Sequence, residues 1–268
     1  MEETAATAVA PAVAAGAGGV ILFGAAAPAN LAAQIASLAG SVPDRLGLLV
    51  MTDEEGGEIQ RMSNLVGNLP WPATMASTWS PGEITSQLAA VAERMLANGV
   101  NMDLAPVVDV DGRAIVPGET DPDGYRSFSG TTSVVVTDGI AYMKGLEQGG
   151  VIPVLKHFPG LGGSSGNTDD EPAHTLPWSR LQQVAIPPFA QAIEAGAPAV
   201  MISNATVPGL SPTLPASLSP AVIENELVGA LGFHGLVITD SLSANAISAA
   251  GFSVASASAA AIEAGADM

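Results

Sequence analysis

Short, continuous apolar runs recur along the chain, and amphipathic segments separate them. The runs lie at 19–23, 46–51, 100–108, 151–155, 199–202 and 236–238. Because they are apolar throughout and do not alternate with polar residues, they are typical of strands buried on both faces of a parallel sheet. Between two of the runs, Ile84, Leu88, Val91 and Met95 share one face of a predicted helix that ends at Asn98-Gly99. Further helices are predicted around 134–148, 187–195, 220–231 and 255–264.

Alternation of strands and helices predicts an α/β protein with a parallel sheet. The sheet could close into a (β/α)₈ TIM-type barrel or stay open and doubly wound. No Gly-x-Gly-x-x-Gly follows the first apolar run, so a dinucleotide-binding fold is not favoured. With 268 residues and 48% hydrophobic content the chain can bury a barrel-sized core, and we expect residues 1–268 to form a single domain.

Net charge narrows the choice of partner. The chain has 26 acidic residues against eight Lys and Arg, a formal charge of −18, which would repel nucleic acid and anionic membranes. A neutral or weakly charged ligand fits better. There is no Cys, hence no disulfide, thiolate metal site or Cys nucleophile. No apolar stretch reaches about 18 residues, so no membrane span is expected, and the sequence leaves cellular location and oligomeric state open.

Polar residues of chemical interest follow several of the apolar runs. They are Asp53, Lys156, His157, Asn204 and Asp240. In a parallel barrel these strand ends share the active-site face, which predicts one polar pocket. Simpler interpretations remain open: Asp240 could cap a helix, Asp53 and Arg61 could form a surface ion pair, and Lys156 with His157 could be a structural pair.

Six segments carry a family resemblance. They are Asp53-Glu-Glu-Gly-Gly-Glu-Ile-Gln-Arg61, Leu104-Ala-Pro-Val-Val-Asp-Val110, Arg126-Ser-Phe128, Lys156-His-Phe-Pro-Gly160, Pro215-Ala-Ser-Leu-Ser219 and Gly232-Phe-His-Gly-Leu-Val-Ile-Thr-Asp-Ser-Leu242. In this order they resemble the catalytic domain of glycoside hydrolase family 3, nearest to its β-N-acetylglucosaminidase branch. The resemblance runs from about Gly18 to the last residue.

The resemblance implies a (β/α)₈ barrel and a retaining, two-step hydrolysis with Asp240 as nucleophile. It places Asp53, Arg61, Arg126, Lys156 and His157 at sugar-binding positions. The implied substrate is a terminal N-acetylglucosamine of peptidoglycan fragments or chitooligosaccharides, with no cofactor and no metal. The barrel is expected to be incomplete at both ends, with its first strand missing and its last strand cut at Met268.

The acid/base residue is the least determined part of the site. The branch has a His where this chain has Leu161, and no Asp stands two residues before His174. His174 is nevertheless predicted as acid/base, because it precedes Leu176-Pro177 as the family His does and imidazole titrates near neutrality. Asp169, Asp170 or Glu171 could orient His174 or replace it.

One alternative function follows from these departures. A family member without an acid/base would bind carbohydrate without cleaving it. Asn204, where the branch commonly has His, leaves the finer sugar specificity open. An unrelated metal-dependent barrel enzyme is disfavoured by three His, no Cys and no His-Glu-x-x-His spacing.

Overall fold

A computed structural model describes residues 6–42 and 47–268. Strands are β1 (Gly19–Ile21), β2 (Leu49–Thr52), β3 (Glu54–Gly56), β4 (Ile59–Gln60), β5 (Met102–Asp103), β6 (Ile152–Pro153), β7 (Leu155–Phe158), β8 (Ala199–Ile202) and β9 (Leu236–Thr239). Helices are α1 (Ala10–Ala14), α2 (Leu31–Ala39), α3 (Ser63–Val66), α4 (Pro72–Thr78), α5 (Pro81–Ala97), α6 (Thr132–Gln148), α7 (Trp178–Val184), α8 (Ile186–Glu194), α9 (Asn245–Ala249) and α10 (Val254–Glu263). A π-helix spans Ala221–Ala230, and 3₁₀ turns span Ala6–Val9, Gly124–Arg126 and Ala216–Leu218.

The strands form two parallel sheets that continue one another. One sheet has the order β1-β2-β5-β6 and the other β7-β8-β9. Only Val154 separates β6 from β7, and its amide donates to the carbonyl oxygens of Asp103 and Ala105 at 3.0 and 2.9 Å. The amides of Asp267 and Met268 donate to Val237 O on the far side of β9, at 2.8 and 3.1 Å. The strands therefore follow one another in chain order around a common interior.

Two apolar layers lie on opposite faces of these strands. The inner layer is Met51, Met102, Leu104, Val154, Ala199, Met201 and Ile238, with Met268 packed against it. The outer layer is larger and joins the strands to the surrounding helices. Continuous apolar character in the strands reflects burial on both faces. This arrangement confirms the predicted α/β architecture. No ladder joins β1 to 267–268 across the described residues, consistent with an incomplete barrel.

Most predicted elements are confirmed with small shifts in their ends, and two depart further from the prediction. The predicted strand at 100–108 shortens to β5, since Pro106 has no amide hydrogen for the ladder, and Val107 pairs separately with Lys156. The helix predicted around 220–231 is the π-helix. The strand predicted at 46–51 begins at Leu49, and its residue 46 lies outside the described residues. No helix among the described residues is long and apolar enough to cross a bilayer.

An antiparallel hairpin, β3–β4, follows β2 directly and was not predicted. Its turn places Gly57 at φ +61°, against the ring of Trp71, where an added Cβ would lie 2.0 Å from the nearest ring atom. Only glycine fits both the backbone conformation and the space. The hairpin turns the segment after Asp53 over the carboxyl ends of the strands, bringing Glu55 and Arg61 to the cleft described next.

Candidate active site

A cleft of about 570 Å³ opens at the carboxyl ends of the strands. That volume lies in the range of small-molecule sites and can hold a sugar residue. Its charged lining residues are Asp53, Glu55, Arg61, Arg126, Lys156, His157, Asp169 and Asp240. All five predicted sugar-binding residues and the predicted nucleophile therefore lie around one space.

Glu55 is the centre of a network of ion pairs on one wall of the cleft. Its carboxylate accepts from Arg126 Nε and Nη2, both at 2.8 Å, and lies 2.6 Å from Lys156 Nζ. Lys156 Nζ also donates to Asp53 at 2.8 Å, and Arg61 Nε lies 3.9 Å from the other oxygen of Asp53. The Lys156 and Glu55 side chains are 3% and 1% exposed, so this is a buried network and not a surface pair.

The charges in the network keep one another ionised. Burial alone would raise the pKa of Glu55, but the charges of Arg126 and Lys156 lower it far below its usual range. Burial alone would lower the pKa of Lys156, but Asp53 and Glu55 raise it above its usual value. The wall thus presents fixed charges to the cleft, where they can form hydrogen bonds with a polar ligand.

Asp109 positions His157. The Oδ2 of Asp109 accepts from the His157 backbone amide at 3.1 Å and lies 2.7 Å from His157 Nδ1, while Oδ1 accepts from Leu161 N at 2.6 Å. The carboxylate therefore fixes both the backbone and the ring, leaving Nε2 for a ligand. The side chain of Leu161 lines the cleft as an apolar surface.

Asp240 follows β9 and is held at the cleft by its neighbours. Its amide donates to Ile202 O at 2.9 Å, and its Oδ1 accepts from Ser241 N at 2.7 Å. The buried Asn204 donates to Ser241 O at 2.7 Å and so supports the same turn. The helix after it, α9, begins at Asn245 with Ala244 at its N-cap, so Asp240 does not cap it. Its second carboxylate oxygen is left for chemistry.

The long loop at 159–177, between β7 and α7, separates the candidate proton donors. Asp169 lines the cleft, and His174 does not. His174 is exposed, its Nδ1 lies 3.1 Å from Thr175 O, and its backbone pairs with Thr206. Asp170 and Glu171 are exposed and also outside the cleft lining. The structure therefore brings Asp169 to the predicted nucleophile and leaves His174 apart from it.

Asp109, Asp123 and His157 offer ligand atoms within 4.8 Å of one another, a spacing that a metal ion could use. Asp109 is already occupied by three hydrogen bonds to 157 and 161. Asp123 is fully buried, and neither carboxylate oxygen has a hydrogen-bond partner among the described residues. Burial, then the charge of Asp109, raises the pKa of Asp123 well above its usual value, which favours the neutral acid.

Glu55 and Asp109 are site residues that the sequence did not single out. Both lie in segments that carried the resemblance, and both are fully buried acids. A buried acid needs partners, but its partners here are 71 and 48 residues away in sequence. No local pattern could therefore pair them. His234, the remaining histidine, is exposed and outside the cleft lining.

Comparison with known proteins agrees with this geometry. The family model for the glycosyl hydrolase family 3 N-terminal domain matches residues 4–268. The β-hexosaminidase LpqI of Mycobacterium tuberculosis is 34% identical over 241 residues, which cover 88% of this chain and 60% of the relative. The chain thus spans about 60% of the length of that curated relative.

Two solved structures share the fold over nearly the whole chain. A family 3 glycosyl hydrolase from Mycobacterium smegmatis superposes with a TM-score of 0.87 at 35% identity, covering 98% of this chain and 79% of the other. A β-N-acetylhexosaminidase from Beutenbergia cavernae gives a TM-score of 0.86 at 30% identity, with coverage of 99% and 80%.

Proposed function

The chain belongs to glycosyl hydrolase family 3, as an N-terminal domain of that family, and on that premise we propose that it is a retaining exo-β-N-acetylglucosaminidase. The substrate would be a terminal N-acetylglucosamine of peptidoglycan fragments or chitooligosaccharides. The observation that carries the proposal is the convergence of Asp240, a buried charged wall and a sugar-sized space in one cleft. Relatives named β-hexosaminidase support the same class of substrate.

Asp240 would act as the nucleophile. The hydrogen bond from Ser241 N fixes Oδ1, and the other oxygen attacks the anomeric carbon to give a glycosyl-enzyme that water then hydrolyses. Two displacements at one carbon retain the configuration.

The charged wall would hold the sugar. Arg126 and Lys156 are already engaged by Glu55 and Asp53, so the donors and acceptors are oriented before the substrate enters. Preorganised charges of this kind discriminate against analogues that lack the matching hydroxyl. His157, fixed by Asp109, would present Nε2 to the same ligand.

The test is release of p-nitrophenol from p-nitrophenyl N-acetyl-β-glucosaminide. Asp240→Ala should lower turnover by about 10³-fold or more, because the covalent step is lost. Glu263→Gln, which removes an exposed carboxylate outside the cleft lining, should leave turnover unchanged. A slow 5-fluoro glycoside should label the peptide containing Asp240, as read by mass spectrometry.

The position of His174 outside the cleft is the one observation that favours a non-catalytic carbohydrate-binding protein. Such a protein would bind N-acetylglucosamine in calorimetry and release no p-nitrophenol. Turnover that survives Asp240→Ala would contradict the retaining mechanism, whereas binding without turnover in the wild type would establish the alternative.

A further inference from the structure

Asp169 is held in the cleft by hydrogen bonds on both sides of its loop. Asn167 N donates to Glu119 O at 2.9 Å, which ties the loop to the segment before Arg126. Asn245 N donates to Asp169 O at 3.2 Å and Ala246 N to Thr168 O at 3.0 Å, which tie it to the segment after Asp240. The two carboxylates are thus positioned relative to each other by backbone contacts.

The surroundings of Asp169 suit a group that gives and takes a proton. The charged groups facing it are Asp240, His157, Asp170 and Arg126. Partial burial in the cleft, and then the charge of Asp240, raise the pKa of Asp169 above its usual value. The residue itself remains open to solvent, so the carboxyl can exchange protons with water. A carboxyl with a raised pKa beside a second carboxyl group suits the role of a general acid next to a nucleophile.

We propose that Asp169 is the general acid/base of this site, an inference that rests on the proposed function. In the first step, Asp240 bonds to the anomeric carbon as the glycosidic carbon–oxygen bond breaks. The bonding electrons pass to the leaving oxygen, which takes the Asp169 proton. In the second step, Asp169 accepts a proton from water, whose oxygen bonds to the anomeric carbon, and the electrons of the ester bond return to Asp240.

The proposal is tested by varying the leaving group. In Asp169→Ala, cleavage of chitobiose, whose alcohol leaving group needs a proton, should fall by about 10²–10⁴-fold. Release of 2,4-dinitrophenol from the matching glycoside should persist as a burst followed by slow turnover, since this leaving group needs no proton. High azide should restore turnover and yield the β-glycosyl azide, and the alkaline limb of the pH–rate profile should disappear.

Controls separate this role from other causes. Glu194→Gln removes one exposed acid at the end of α8, outside the cleft lining, and should match the wild type on every substrate. Asp170→Asn and His174→Ala examine the competing residues. If either of them shows the leaving-group dependence and azide rescue while Asp169→Ala does not, the assignment of Asp169 is overturned.

The assignment and the proposed function fail in different ways. Wild-type protein that is folded but inactive on the p-nitrophenyl glycoside, the 2,4-dinitrophenyl glycoside and chitobiose would overturn both the proposed function and the role of Asp169. Wild-type activity that Asp240→Ala abolishes, and that Asp169→Ala leaves intact on chitobiose, would overturn the role of Asp169 alone. Circular dichroism of each variant shows whether the fold is retained.

Discussion

At the scale of single residues, Glu55 is the acidic side chain that links the cations of the cleft wall. One carboxylate neutralises two cations, Arg126 and Lys156, that are themselves largely buried. Arg126 keeps a further bond to Pro122 O at 2.8 Å, but Lys156 would depend on Asp53 alone. Buried charges are tolerated only while their partners remain, so we expect this residue to serve both folding and binding.

Glu55→Gln tests that dual role. The change preserves shape but removes the charge, and we expect it to lower the free energy of unfolding by about 3–5 kcal/mol, as measured by urea denaturation. Glu58→Gln, an exposed change in the same hairpin, should shift it by less than about 0.5 kcal/mol. Equal stability of the two variants would contradict the account.

Residues at the strand ends could be predicted from the sequence, and loop residues could not. Asp53 and Asp240 directly follow β2 and β9, Lys156 and His157 lie in β7, and parallel strands bring their carboxyl ends to one face. His174 lies on the long loop before α7, where the sequence carries no strand or helix period from which the position of a side chain could be predicted. Its predicted role as acid/base stays a prediction, which the geometry at Asp169 does not favour.

At the scale of elements, α5 and α6 pack closely because α6 has small residues facing α5. An added Cβ at Gly145 would lie 2.6 Å from Leu88 Cβ and 2.7 Å from Thr85 O. One at Gly149, just after α6, would lie 2.4 Å from Ala92 Cβ. These approaches leave no room for a methyl group, so glycine here sets the distance between the helices.

Gly145→Ala should therefore destabilise the fold, although alanine is the better helix former. We expect a loss of about 1–3 kcal/mol in the free energy of unfolding, from overpacking against α5. Gly82→Ala is the matched control in a helix, because nothing lies within 4 Å of its added Cβ. It should be neutral or stabilise by up to about 1 kcal/mol. A Gly145→Ala protein as stable as Gly82→Ala would refute the close-packing argument.

Long elements with a clear period were predictable, and short ones were not. The face of Ile84, Leu88, Val91 and Met95 predicted α5 because it repeats over several turns. The hairpin β3–β4 has two or three residues in each strand, too few to show alternation. The hairpin depends on the close contact between Gly57 and the ring of Trp71, which no local pattern predicts.

At the scale of the whole molecule, the acids buried around the cleft give the fold a dependence on pH. Burial raises the pKa of Glu54 to about 7, against hydrogen bonds from Gln60 and Met62 that lower it. The pKa values of Asp103 and Asp123 are raised in the same direction, in both cases first by burial. Each of these acids is neutral more readily in the folded chain than in the unfolded one.

Stability should accordingly fall as pH rises from about 4.5 to about 7. A carboxyl whose folded pKa is raised contributes fully below its unfolded pKa of 4.5 and loses that contribution as pH passes about 7. For Glu54 the loss is at most about 3 kcal/mol. We expect the free energy of unfolding, measured with urea at several pH values in this range, to fall less steeply with pH in Glu54→Gln than in the wild type, whatever the absolute stability of the variant. Glu93→Gln is the exposed control. If the free energy of unfolding depends on pH equally in the two variants, Glu54 is not a source of the pH dependence.

The α/β architecture was predictable because strands and helices alternate repeatedly along the chain. The arrangement of the strands around the interior depends on pairings between distant segments, which no local pattern shows. The parallel order β1-β2-β5-β6 and β7-β8-β9 follows chain order, as the alternation of strands and helices implies. That residues 1–268 form one domain stays a prediction.

The ion pairs of the cleft join parts of the chain that are far apart along it. Lys156 and Asp53 are 103 residues apart, and Arg126 and Glu55 are 71 apart. Contacts of such high sequence separation require the closure of long loops, which slows their formation. If the cleft binds the sugar proposed above, we expect a partly folded chain not to bind it, so that affinity for the sugar would report completed folding. By mass action, the sugar would in turn shift the folding equilibrium toward the folded chain.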